Sequence, residues 1–177
     1  MQRAMRAWLT ALLGIAAALA ATPAAAADAC AGFTWDVSRE QALFAGHATT
    51  LTAGADSATA PALATGTLFR LQLKPIHDVT FVAAPGKKNA AEGGYAGLAV
   101  LNIGTPGTYR IALDGPFWID VVADGGLVNS TGHQGAAGCN GPHKIVEFEF
   151  PVARQLLLQF SGTGDPNVRV TVTAAHH

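Results

Sequence analysis

Phe117-Trp118-Ile119-Asp120-Val121-Val122 and Lys144-Ile145-Val146-Glu147-Phe148-Glu149-Phe150 decide the fold. Both alternate at period two, the spacing of a strand with one face in a core. Phe117, Ile119 and Val121 share one face of the first segment, and Trp118 and Asp120 share the other. In the second, Val146, Phe148 and Phe150 face inward while Glu147 and Glu149 face out. Between them, residues 124–143 carry Gly125, Gly126, Gly132, Gly135, Gly138 and Gly141, with His133, His143 and Cys139. This composition reads as a long glycine-rich loop, and it is the first place to look for a site.

The same alternation recurs on both sides. Phe33, Trp35 and Val37 predict a short strand near the N-terminus; residues 46–66, rich in Ala, Thr and Gly, read as loop with one short strand around Thr49–Thr52. Phe69, Leu71 and Leu73 predict another, and Val79 and Phe81 continue the pattern after the Pro75 turn. Tyr95–Ile103 is mostly apolar, as in a strand covered on both faces. Tyr109, Ile111 and Leu113 follow the turn Gly104-Thr105-Pro106-Gly107. Toward the C-terminus, Leu156, Leu158 and Phe160 precede Val168, Val170 and Val172. Ser38 with Gln41 has the form of a capping box and predicts a short helix over residues 39–45, stopped by Gly46. Short strands at regular spacing, separated by Gly/Pro turns, predict an all-β antiparallel sandwich, jelly-roll-like, with eight to nine strands and one short N-terminal helix.

The ends of the chain bear on compartment. Arg3 and Arg6 precede an apolar run from Trp8 to Ala21, Pro23 breaks it, and Ala25-Ala26-Ala27 supplies small residues for cleavage. This predicts a signal peptide over residues 1–27 and one domain over residues 28–177. The apolar run falls short of the about 20 residues that a membrane anchor needs. Asp28, two residues before Cys30, argues against a lipoprotein, and the separated arginines argue against a twin-arginine signal. A periplasmic or secreted protein is expected. Leaving out Arg3 and Arg6, the 11 basic residues fall to nine against 12 acids. That balance lacks the basic footprint of a nucleic-acid partner. Cys30 and Cys139 are the two cysteines of the chain, and an even pair in an oxidising compartment predicts one disulfide between them.

Pro106-Gly107-Thr108-Tyr109-Arg110-Ile111, Trp118-Ile119-Asp120-Val121, Lys144-Ile145-Val146-Glu147-Phe148 and Leu156-Leu157-Leu158-Gln159-Phe160-Ser161-Gly162 together carry a resemblance. From about Tyr95 onward the chain resembles a bacterial pre-peptidase C-terminal type β-sandwich. It is also similar to short exported proteobacterial proteins that share a Trp-Ile-Asp strand, some bearing the name homogentisate 1,2-dioxygenase. That enzyme name implies iron held by two His and a Glu, a spacing this chain does not show. The resemblance therefore implies a sandwich and export, and no catalytic residues follow from it.

Three chemistries can be weighed from the residues. His133 and His143, joined by His77 or Asp120, could hold copper or zinc if the loop gathers them. Their spacing matches no metal motif, and His176-His177 is a terminal pair. Ser130 near His133, with Asp120 or Asp124, supplies hydrolase residue types without the strained Gly-x-Ser-x-Gly turn. Glu147 and Glu149 stand about 7 Å apart on one strand face, as a solvated face does. Trp118 and Asp120, on the less apolar face beside the loop, are the expected ligand-binding residues, since sugar rings stack on tryptophan. The leading expectation is a non-catalytic periplasmic or secreted module binding a polymer, a partner or an envelope component. A periplasmic metal-binding protein or small metalloenzyme, and an accessory structural protein without ligand, are the alternatives.

Overall fold

The computed structural model describes residues 29–88, 90, 92–139 and 141–175. The expected signal peptide over residues 1–27 and the His176-His177 pair lie outside the described residues. Twelve strands form two sheets: β1 (Thr49–Thr52), β2 (Ala62–Leu63), β3 (Leu68–Gln72), β4 (Lys74–Pro75), β5 (Tyr95–Ile103), β6 (Gly107–Leu113), β7 (Trp118–Ala123), β8 (Gly126–Val128), β9 (Gly132–Gly135), β10 (Lys144–Phe150), β11 (Arg154–Thr163) and β12 (Asn167–Ala174). The first sheet runs β1-β3-β12-β6-β10-β9 and the second β2-β5-β11-β7-β8, with β4 also pairing β5. Pairing is antiparallel except between β1 and β3 and between β2 and β5.

The alternation places the core. Leu71, Ile111, Val146, Phe148, Phe150, Val170 and Val172 of the first sheet meet Leu101, Ile119, Val121, Leu156, Leu158 and Phe160 of the second, all buried. Two inner faces interdigitating in this way are the packing of a β-sandwich. Eight strands coincide with segments the sequence predicts, six by alternation, β5 by its apolar run and β1 as the short strand at Thr49–Thr52. The other four (β2, β4, β8 and β9) are short edge or accessory strands and raise the total above the expected eight to nine.

The N-terminal segment corrects the sequence reading. Phe33, Trp35 and Val37 do not form a strand. Instead Val37, Phe44, Leu68, Ala112 and Ile145 make a second cluster on the outer face of the first sheet, with Phe33 and Trp35 packed against it. The period-two pattern arises from laying one side of an irregular segment on a sheet. Its backbone is held by a side chain: the Gln134 carbonyl oxygen accepts from the N–H groups of Thr34 and Trp35 at 2.9 and 3.2 Å. The Gln134 amide donates to Thr34 Oγ1 at 2.6 Å. Beneath Trp35 the Arg110 guanidinium lies 4.7 Å from the ring and donates to Glu147 at 3.1 Å.

The helix α1 spans Ser38–Phe44. The expected capping box is not made. Ser38 is the first helical residue, and its N–H donates to Asp36 Oδ1 at 3.0 Å. Val79 and Phe81 likewise lie outside any strand. Their segment follows the short 3-10 helix Ile76–Asp78 and is caught by the fully buried Gln159, which accepts from Val82 N–H at 2.8 Å and donates to Ala83 O at 3.0 Å.

Cys30 and Cys139 are joined, with Cα atoms 4.8 Å apart and a sequence separation of 109. The bond ties the start of the covering segment to the chain just after β9. For a loop of this length the chain-entropy model gives about 4–5 kcal/mol. Replacing both cysteines by serine is therefore expected to lower the unfolding free energy by about 3–5 kcal/mol. Urea denaturation of the oxidised protein and the double variant checks this, and coincident midpoints would contradict it.

Candidate functional site

The stretch between β7 and β10 is not one loop, because it carries the strands β8 and β9. It starts as a hairpin: Ala123 pairs with Gly126, leaving Asp124 and Gly125 as a two-residue turn with φ of 51° and 78°. Positive φ at both turn positions is what Asp-Gly tolerates and what a tight hairpin requires. β8 then extends the second sheet. Residues 129–131 cross over, and β9 joins the edge of the first sheet beside β10. The two edges thus part around a cleft.

That cleft has a volume of about 390 Å³. Its apolar lining comes from Ile119, Leu127, Val128, Val146 and Phe148, several of them inner-face core residues. Trp118, Asp120, Asn129, Ser130, His133 and Lys144 supply its polar lining. His133 lies opposite Val146 on β10, so it shares the inner face. Gln134, the next residue, points the other way to hold the N-terminal segment. One short edge strand therefore serves both the cleft and the covering layer.

Trp118 is half-buried, and its orientation is fixed. Its indole N–H donates to Asp120 Oδ1 at 2.9 Å. Asp120 Oδ2 accepts from Gly86 N–H at 3.1 Å, so both carboxylate oxygens are engaged. Asp120 is only 7% exposed, because the Gly86 segment covers the outer face of β7 there. A Cβ at Gly86 would come within 2.9 Å of Asp120 Oδ1 and 3.3 Å of Leu127, so a side chain there would have to displace the carboxylate. Lys144 Nζ donates to Phe117 O at 3.3 Å and stands 4.9 Å from the Trp118 ring centre. Lys87, adjacent to Gly86, places its Nζ 5.8 Å from the same centre. Two cations thus flank one aromatic ring.

Burial pushes the Asp120 carboxyl above its ordinary value, against the opposing effects of the Gly86 N–H, the Trp118 indole and Lys144. Burial likewise pushes Lys144 below its ordinary value; repulsion by Lys87 adds to that, and Asp120 opposes it. Perturbed groups of this kind, gathered in a cleft, make it a candidate site.

Of the residues singled out in the sequence, the cleft assembles Trp118, Asp120 and His133. It does not assemble a histidine cluster. His143 lies three positions before the partner of His133, about 10 Å along the strand direction. Its backbone N–H donates to Leu113 O. His77 sits beside β5 on the 3-10 helix, with a side chain 79% exposed and 3.5 Å from Asp78. Among the described residues no three His, Cys, Asp or Glu side chains come together as metal ligands. No hydrogen bond joins Ser130 to His133 among the described residues, and Glu147 is held by Arg110 on the opposite face of β10.

No protein-family model matches this chain, and no curated protein matches it.

Lys87 and Lys144 were missed by sequence reasoning. An isolated Lys87-Lys88 pair in a Gly-rich loop and a lysine opening a strand give no local signal, since the tertiary fold alone brings them to Trp118. The electrostatics make a direct prediction. In an NMR titration, Lys144 should titrate below an ordinary lysine. Lys87→Ala should move its midpoint up by removing a repelling cation, and Asp120→Asn should move it further down. Unchanged midpoints in both variants would contradict the coupling.

Proposed function

We propose that the protein is an exported, non-catalytic β-sandwich module that binds a saccharide polymer of the cell envelope through the Trp118 cleft. The observation that carries this reading is the fixed tryptophan. Its indole N–H is locked to Asp120, so its ring is presented at the open edge of the sandwich with little freedom left to lose on binding. Pre-organised aromatic surface is the kind on which a pyranose stacks at low entropic cost. The apolar lining with a few polar groups around it is the usual make-up of a small-ligand cleft.

Export is supported by the Cys30–Cys139 bond, since such bonds persist in oxidising compartments. It agrees with the leader read over residues 1–27 and with the resemblance to exported sandwich domains. The non-catalytic part of the reading rests on how the reactive groups are used. The Asp120 oxygens are both engaged by donors, and Glu147 is neutralised by Arg110. Among the described residues no helix is long and apolar enough to cross a membrane.

Affinity electrophoresis through gels carrying envelope polysaccharide tests the reading. The wild-type protein is expected to be retarded, and Trp118→Ala to lose about tenfold or more in affinity, the equivalent of about 1.4 kcal/mol. Retardation that survives Trp118→Ala would contradict it.

A further inference from the structure

We propose that the sugar unit the cleft takes is anionic, a carboxylate-bearing pyranose within an acidic polysaccharide. This rests on the binding reading above and adds the chemical class of the ligand. Three observations carry it.

First, the charges beside Trp118 do not balance. Lys87 and Lys144 stand 5.8 and 4.9 Å from one ring centre. Asp120 is the sole carboxylate among the residues lining the cleft, and both its oxygens already accept hydrogen bonds from Trp118 and Gly86. One carboxylate offsets the charge of only one of the two ammonium groups. A local excess of positive charge is left at the aromatic ring.

Second, donors outnumber acceptors. An ammonium has three N–H groups, and Lys144 spends one on Phe117 O. Among the described residues no side-chain hydrogen bond engages Lys87, Asn129, Ser130 or His133. A ligand that fills this cleft must bring acceptors. A carboxylate brings two oxygens with strong, charge-assisted geometry, and a sugar ring brings its own oxygens and hydroxyls beside it.

Third, the two lysines are mounted differently. Lys144 is anchored by Phe117 O at the start of β10, where it can fix the position of an anion. Lys87 is exposed on the segment that Gln159 and Asp120 hold against the outer face of the second sheet. It can leave the ring face to a sugar and follow the carboxylate. The aromatic ring selects a pyranose, and the lysines select its charge.

Titration calorimetry with trimers of galacturonate, glucuronate and mannuronate, and with their methyl esters, tests this. The esters keep ring and chain but lose the charge. At least one free acid is expected to bind about tenfold or more tighter than its ester. Lys144→Met and Lys87→Gln should each remove most of that difference, while Lys144→Arg keeps it. Raising the salt should weaken the acid and leave the ester unchanged. Lys87 is exposed, so Lys87→Gln keeps the test decisive should Lys144→Met fold poorly. Equal binding of acid and ester, abolished in Trp118→Ala, would overturn the anionic assignment and leave the saccharide site standing. Binding of no trimer, and of no neutral glycan, would overturn both. Equal competition by poly-glutamate, an anion without a sugar ring, would overturn the assignment to an acidic sugar.

Discussion

The chain changes sheets within three residues, and the cleft depends on that crossing. β8 ends at Val128 in the second sheet and β9 begins at Gly132 in the first. Facing sheets lie about 10 Å apart, close to the reach of so short an extended connection. The edges of the two sheets are therefore held near each other without being closed by a further strand, and the cleft is what remains. The crossing also sets the facing of β9, so that His133 turns inward and Gln134 outward. Gln134 captures the N-terminal segment, and Cys139 follows at the point where the disulfide secures that segment's start. A layer over one sheet and a cleft between two sheets thus have a common origin in one short strand.

Most long strands were legible in the sequence because their inner faces alternate, and β5 because its apolar run is covered on both faces. Phe69, Leu71, Ile111, Leu113, Val146, Phe148, Val168 and Val170 all sit where their alternation places them. The disulfide was legible from two cysteines and from the export expected of residues 1–27. The edge strands were not. β9, Gly132-His133-Gln134-Gly135, contributes backbone pairing with β10 and buries almost no apolar surface, so no periodicity marks it. For β8 a signal existed in the Asp124-Gly125 pair, a two-residue hairpin turn set in a run of glycines that reads as loop. Phe33, Trp35 and Val37 show the opposite failure: a periodic pattern that packs on a sheet without pairing in one.

The site was half legible. Trp118 and Asp120 stand out because they break the apolar character of a core strand on one face. His133 stands out as a reactive side chain in a glycine-rich run. Lys87 and Lys144 reach Trp118, and Gly86 reaches Asp120, through contacts far apart in sequence, and nothing local announces them. Their arrangement is costly. Asp120 is buried against its preference for water, and Lys144 is both dehydrated and repelled by Lys87. Natural sequences hold such local conflicts where they serve binding, and the surrounding core offsets them. The Arg110–Glu147 pair under Trp35 differs in this respect, because the two engage each other, Arg110 also donates to Asp36 O of the covering segment, and Glu147 also accepts from Thr131.

The central claim is that the cleft between the parted sheet edges is the binding surface. Chemical-shift mapping on the isotope-labelled oxidised protein, titrated with acidic envelope oligosaccharide, tests it most directly. The account predicts that the largest shifts fall on the Trp118 indole N–H, the Gly86 and Lys87 amides and the crossing at residues 129–133, with the outer face of the first sheet silent. Shifts concentrated instead on Phe33, Trp35 and α1, with the Trp118 indole unmoved, would contradict it.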